Sequence, residues 1–415
     1  MMSLILADLR RHAAGVLALG LLIALASALG LAINLSERAV RLGSARAASA
    51  FDLVVGAPGS ETQLVLSSVF LQPAPLPLLP GHVLASLRAD PRVAYAAPVG
   101  FGDFVGDDPV VGTVAEVVSG LGHLAEGEVF QHLDEAVVGA GVDRPVGSRF
   151  HPLHGRATEG GHSHREVEYR VVGRMAPTGT PWDKAVLVPI QAVWRAHRKE
   201  ENAVPPLLAA AHRGEGHDHD DAPANAALDM AALADPAAPG VPAILVKPNT
   251  IADAYKLRQQ YRGEGTLGVF PAEVLTRLYG TLGDARAILS VVAVGAQALV
   301  GAAILLTVVA HVLGRRRQIG ALRAFGAPRH AVFLTVWLEV MAIVGIGVVA
   351  GFALGAGGAA LLARSVGAAS GVVLPVEFRN EDVWTLLSLL TVGSIAALAP
   401  ASLAYRQSPA SALRN

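Results

Sequence analysis

The sequence predicts a membrane α-helical protein: four transmembrane helices, with an α/β extracytoplasmic domain inserted between helices 1 and 2. Three observations carry this. Hydrophobic residues make up 52% of the chain and charged residues 16%, with a mean hydropathy of +0.46, whereas a soluble domain is about a quarter charged. Four apolar runs are each long enough to cross a bilayer core. Between the first and second lie about 250 residues of mixed polarity, far more than a connecting loop needs.

The first run, Ala13 to Asn34, has no charge over 22 residues and covers roughly 33 Å as a helix. With the amphipathic "MMSLILADLRRH" before it, it forms an N-terminal segment over 1–34. A cleavable signal peptide is the rival reading, but the run is long for one and "ALGLAIN" is a poor cleavage site. Span two occupies 285–314, span three 331–363 and span four 383–405. Arg10 and Arg11, then Arg315, Arg316, Arg317, Arg323 and Arg329, then Arg406 and Arg414 fall on one side if the spans alternate. By the positive-inside rule that side is the cytoplasm. Both termini, the 315–330 segment and the 406–415 tail are therefore expected inside a bacterial inner membrane crossed several times. The 35–284 domain and the short 364–382 loop are expected outside.

Within 35–284, "FDLVVGA" (51–57), "EVEYRVVGRM" (166–175), "KAVLVPI" (184–190) and "PAILVKP" (242–248) read as strands rich in β-branched residues. "TIADAYKLRQQYR" (250–262) and "PAEVLTRLYGTLGDAR" (271–286) have helical spacing, with Pro271 suited to a first turn. A His-rich insertion is expected over about 150–240, and 196–241 within it is biased to Ala, Pro, His and Asp.

A net charge of −1 gives no field for nucleic acid, and the absence of cysteine excludes disulfides and thiolate chemistry. None of the four lysines, Lys184, Lys199, Lys247 and Lys256, follows a phosphate-cradling glycine loop. No H-E-x-x-H or G-x-S-x-G occurs. The chain is expected not to be an enzyme and to need no cofactor of its own. Glu339 is the one carboxylate within span three, and a hydrogen bond at a helix end or between helices accounts for it better than a substrate role. Gly347, Gly351 and Gly355, four residues apart, allow close helix packing and suggest a dimer seam.

Two features remain. His151, His154, His162 and His164, then His212, His217 and His219, lie in polar tracts beside carboxylates, a donor set that suits zinc, although a solvated linker explains it equally well. In "GRRRQIGALRAFGAPRH" (314–330), Ile319, Leu322 and Phe325 recur at helical spacing and form an apolar stripe closed by Gly326 and Pro328.

With this topology and "RRRQIGALRAFGAPRHAVFLTVWLE" after span two, the chain resembles the FtsX-like, MacB-type ABC transporter permeases, in a branch with a His-rich outer domain. The matching positions are Ile319, Gly320, Leu322, Arg323, Ala324, Gly326, Ala327 and Glu339. The ending "SPASALR" and "FDLVVGAPGSETQLVLSSVF" (51–70) add to the likeness. Gln318 stands where family members often carry glutamate. The resemblance implies a permease subunit driven by a separate cytoplasmic P-loop ATPase. It implies dimerisation with a second copy or a paralogue among membrane lipids, and transmission of motion to the outer domain for export or envelope substrate handling. Arg317, Ile319, Leu322, Arg323, Phe325 and Gly326 would couple to the ATPase. The His-rich insertion is similar to that of members found with zinc-related systems. The alternative is a non-transport membrane metal sensor or scaffold.

Overall fold

The structure is a computed structural model describing residues 10, 13–72, 74–154, 162–163, 167–203, 223, 225–263, 265–281 and 328–406, with positions 291, 294–295, 298 and 301–302. The chain divides into two units. One takes Met1–Arg41, Thr281–Ser365 and Pro375–Asn415; the other takes Leu42–Gly280 and Val366–Leu374.

In the helical unit, α1 (Ala13–Ser49) begins as a lipid-grade helix and does not stop where its apolar run does. Glu37, Arg38, Arg41 and Arg46 continue the same helix, because long charged side chains cost little helix propensity. Leu19, Ile23, Ser27, Leu31, Leu35 and Ala39 are buried at every fourth position. Leu17, Leu21, Leu25 and Leu29 form the exposed stripe. Two further helices, α8 (Arg329–Ser370) and α9 (Asn380–Arg406), complete the unit's long elements. Among the described residues three helices are long and apolar enough to cross a membrane: α1, α8 and the Asn380–Ala399 part of α9. The expected second span lies almost wholly outside the described residues.

The glycine spacing in α8 packs within the chain, against α1. A Cβ on Gly347 would meet Ile23 and the Gly20 carbonyl; one on Gly351 would lie 2.5 Å from the Ala24 carbonyl, and one on Gly355 2.7 Å from that of Ala28. Carbonyls stepping by four on α1 thus face glycines stepping by four on α8, the geometry small residues permit. The expected dimer-seam role gives way to this internal one. On a neighbouring face of α8, Val344 packs against Gly393 of α9, and the Trp337 indole N–H donates to the Ser394 carbonyl at 3.3 Å.

The other unit is built on one sheet. Its strands are β1 (Leu53–Gly56), β2 (Val93–Val105), β3 (Asp108–Thr113), β4 (Leu124–Gly127), β5 (Glu135–Val138), β6 (Arg149–Phe150), β7 (Leu153–His154), β8 (His162–Ser163), β9 (Tyr169–Met175), β10 (Val186–Pro189), β11 (Ala243–Pro248) and β12 (Leu267–Val269). The main path runs β12-β1-β11-β2-β3-β10-β5-β9-β4, and β6, β7 and β8 pair off it. β10 pairs parallel with β3, and β5 with β9; the other pairs are antiparallel. Helices α2 (Glu61–Ser68), α3 (Gly81–Ala89), α4 (Ala115–Leu121), α5 (Ile190–Ala203), α6 (Ile251–Gln260) and α7 (271–281) cover it. The start of α2 is capped by Ser60, whose hydroxyl accepts from the Gln63 amide, and that of α6 by Thr250, which accepts from Asp253. Ile190 and Val193 of α5 fill the space over Gly100 and Gly112 of β2 and β3.

All four strands expected from sequence are present, each shorter than its apolar run. The stretch expected as a His-rich insertion contributes β9, β10 and α5 to the core, with Tyr169, Val171, Met175, Trp182, Leu187 and Ile190 buried. Its apolar alternation over 169–175 already marks a half-buried strand.

Candidate functional site

The six residues expected to couple to an ATPase, Arg317, Ile319, Leu322, Arg323, Phe325 and Gly326, lie outside the described residues. So do His164, His212, His217 and His219, and the N-terminal amphipathic stretch over 1–9. Of the other expected metal ligands, His151 is exposed and its Nδ1 lies 2.9 Å from the Val167 carbonyl, with Glu168 4.0 Å from its Nε2. His154 and His162 are opposed in the β7–β8 register, and His154 also stands opposite Asp103 of β2. Among the described residues no group of three or more His, Cys, Asp or Glu side chains is placed to hold a metal.

Glu339, in the first third of α8, is buried and makes a polar or electrostatic interaction.

The strongest polar feature of the helical unit escaped the sequence reading. Arg38 and Asp382 are 7% and 5% exposed at their side chains and form a forked pair at 2.8 and 3.2 Å. Arg38 also donates to the Glu377 carbonyl at 2.9 Å, and Glu381 sits 3.7 Å away. Asp382 serves α9 as well, because its carboxylate accepts from the Arg379 amide at 2.8 Å and closes the helix's first turn. A bidentate pair fixes orientation as well as distance. "LSERAV" and "FRNEDV" contain both partners, but nothing local ties one to the other across 344 positions.

The sheet unit contains a matching polar turn. Asp183, buried beside the fully buried Trp182, accepts from the Thr178 amide and the Gly179 amide, both at 2.8 Å, and from the Thr178 hydroxyl at 2.7 Å. Thr180 caps the short helical turn Pro181–Lys184. Gly179 takes φ +73°, conformational space that favours glycine, and its carbonyl accepts from the Val373 amide at 3.3 Å. Val373 belongs to Val366–Leu374, the stretch after α8 that is part of this unit. There Gly371, at φ +72°, ends α8 and donates to the Gly367 carbonyl. A Cβ on Gly371 would lie 3.1 Å from the Thr180 carbonyl, and one on Gly43 2.7 Å from Leu374 and from the Val373 carbonyl. Three glycines thus mark where 371–374 is laid against its unit.

Elsewhere the sheet unit is tied by ion pairs. Glu61 joins Arg262 at 2.6 Å and Arg277 at 2.7 Å, and Glu273 joins Arg258 and Arg277. These hold α7, the helix leading toward the expected second span, to α2 and α6. Glu135 pairs with Arg170 at 2.8 Å. Burial works to raise the Glu135 pKa, but the amides of Gln131 and His132 and the His132 ring outweigh it and hold the carboxyl below its ordinary value.

Residues 290–410 match the family model described as FtsX-like permease C-terminal. Among solved structures, the chain is similar to the periplasmic region of MacB from Actinobacillus actinomycetemcomitans, at 10% identity and TM-score 0.31, covering 56% of this chain and 95% of that one. It is also similar to the extracellular domain of the noncanonic ABC-type transporter YknZ from Gram-positive bacteria, at 8% identity and TM-score 0.27, covering 52% and 98%. No curated protein matches.

Proposed function

We propose that this chain, with an FtsX-like permease C-terminal region over 290–410, is the permease subunit of an ABC transporter, and that it converts the motion of a separate cytoplasmic ATPase into motion of its sheet unit outside the membrane. The observation that carries the reading is that family match, which spans the expected coupling segment and the expected spans on either side of it. The sequence contains no nucleotide-binding loop, which agrees with work supplied by a separate ATPase.

Connectivity supports transmission. The backbone changes unit at 41/42, 280/281, 365/366 and 374/375, four times instead of the two an inserted domain requires. Each of the expected spans is therefore followed or preceded directly by a piece of the sheet unit. Span four has the aromatic ends of a membrane-crossing helix: exposed Trp384 and Tyr405 are 21 positions apart, about 32 Å along a helix. The stripe of Ile319, Leu322 and Phe325, flanked by Arg317 and Arg323 and closed by Gly326, is the docking surface, and a second copy or paralogue completes the assembly. The His tracts would gather zinc loosely on the outer side, as an accessory to envelope handling.

The experiment is a co-purification from the native host in mild detergent. A P-loop ATPase should accompany the chain, and Leu322→Asp or Phe325→Asp should release it while the permease keeps its melting temperature. ATPase capture undiminished in both variants would overturn the docking assignment.

A further inference from the structure

Residues 371–379 connect α8 to α9, a place where a loose loop would suffice, and 380–382 open α9. The first end of 371–382 is instead held by a turn that a buried carboxylate shapes, and its second by a buried ion pair. At the first end Asp183, 8% exposed, accepts three hydrogen bonds and shapes the Thr178–Thr180 turn, whose Gly179 carbonyl takes the Val373 amide. Val372 beside it is 6% exposed. At the second end Arg38, on α1, holds the Glu377 carbonyl and the Asp382 carboxylate together. Each grip lies inside one unit: the first in the sheet unit, the second in the helical unit. The segment joining them is short, Leu374–Val376, and Pro375 within it has a fixed φ and no amide hydrogen to donate.

We infer that 371–382 is a force-bearing strap, with Asp183 and Arg38 as positioning residues that fix its two ends. It rests on the permease reading and adds to it a route: displacement of span one or span four reaches the sheet unit through this strap as well as through the helices entering and leaving it. Buried charge suits such a joint. A bidentate pair withdrawn from water has one geometry, and any other leaves a charge unpaired, so the joint is stiff over small displacements. An exposed loop of the same length would absorb a displacement of a few ångströms before transmitting any.

The test uses the full chain with its co-purified ATPase in lipid nanodiscs. The chain has no cysteine, so spin labels at Ile251→Cys and Val383→Cys, both exposed, report a single distance when the labelled chain is diluted with an excess of unlabelled chain. In the otherwise unsubstituted protein, a non-hydrolysable ATP analogue should shift that distance. Asp183→Asn and Arg38→Gln should broaden the distribution and abolish the shift while the ATPase stays bound. Amide exchange should speed up at 371–374 in the first variant and at 377–382 in the second, on the order of tenfold to a hundredfold, as expected for losing hydrogen bonds to a charged group. The sheet at 53–56 and 243–248 should keep its protection, which separates a released strap from an unfolded domain. The exchanged pair Arg38→Asp with Asp382→Arg should restore the shift in part. Loosened exchange with an unchanged ATP-driven shift overturns the strap while leaving the permease reading intact. A parent protein that captures no ATPase overturns both.

Discussion

Arg38 and Arg41 occupy the same helix one turn apart, yet their roles differ by an order of magnitude. Arg41 is half exposed and meets Glu37 at 3.6 Å, a surface pair that contributes well under about 1 kcal/mol. Arg38 is withdrawn from water with Asp382, and removing one partner strands the other, at a cost of about 3–5 kcal/mol. Arg38→Gln should therefore lower the melting temperature of the detergent-solubilised chain markedly, and Arg41→Gln should not; equal shifts would refute the distinction. Acid sensitivity is decided at the same scale. The Arg92 guanidinium hydrogen-bonds Asp90 and holds its carboxyl below the ordinary range. Because the folded value is depressed, the stabilisation is complete above the unfolded value and fades as pH falls through the folded one. Asp90→Asn should flatten the loss of stability on titrating from about pH 5 downward, measured by denaturant unfolding across pH.

Elements were legible in the sequence to the extent that their neighbours are lipid or a single sheet face. The apolar runs of α1, α8 and α9 stand out because a bilayer selects composition directly, and "LVVG" and "AILV" stand out because both faces of their strands are buried. The end of α1 was not legible: the helix crosses from an apolar into a charged stretch without a breaker, and hydropathy registers the solvent, not the helix. β2 escaped for a related reason, since "VAYAAPVGFGDFV" mixes alanine, proline and glycine and owes its strand state to two flanking partners, β11 and β3. The glycines of α8 were visible, but whether they face another copy or α1 is a tertiary fact. Gly351→Leu should destabilise the chain by about 1–3 kcal/mol through overpacking against the Ala24 carbonyl. Gly357→Leu, with open space around it, should be tolerated. A thermal melt of the two variants decides.

For the whole molecule, the proposed coupling surface is visible in the sequence as a stripe, whereas the long-range polar pairs of the fold are not. A stripe is periodic, and periodicity is a local signal. Arg38 with Asp382, or Asp183 with the Val373 strap, are partners separated by more than a hundred positions and become partners only once the chain is folded. The histidine tracts were legible as composition alone. If they collect metal, zinc titrated by calorimetry into the purified chain should show weak, multi-site binding that largely disappears when 212–221 is deleted. Retention of all zinc sites in the deletion would confine binding to the 151–164 tract.

That the sheet unit includes Val366–Leu374 has a consequence for dissecting the protein. A fragment spanning 42–280 looks like a self-contained soluble domain, but it is missing a piece of itself. Its Gly179 carbonyl and the surface that buries Val372 would be left to water, and the fragment should be prone to self-association. A synthetic peptide of 366–376 supplied in trans should bind it and restore its stability, as a missing tile completes a mosaic. The sheet unit is thus written in two separated passages of the gene.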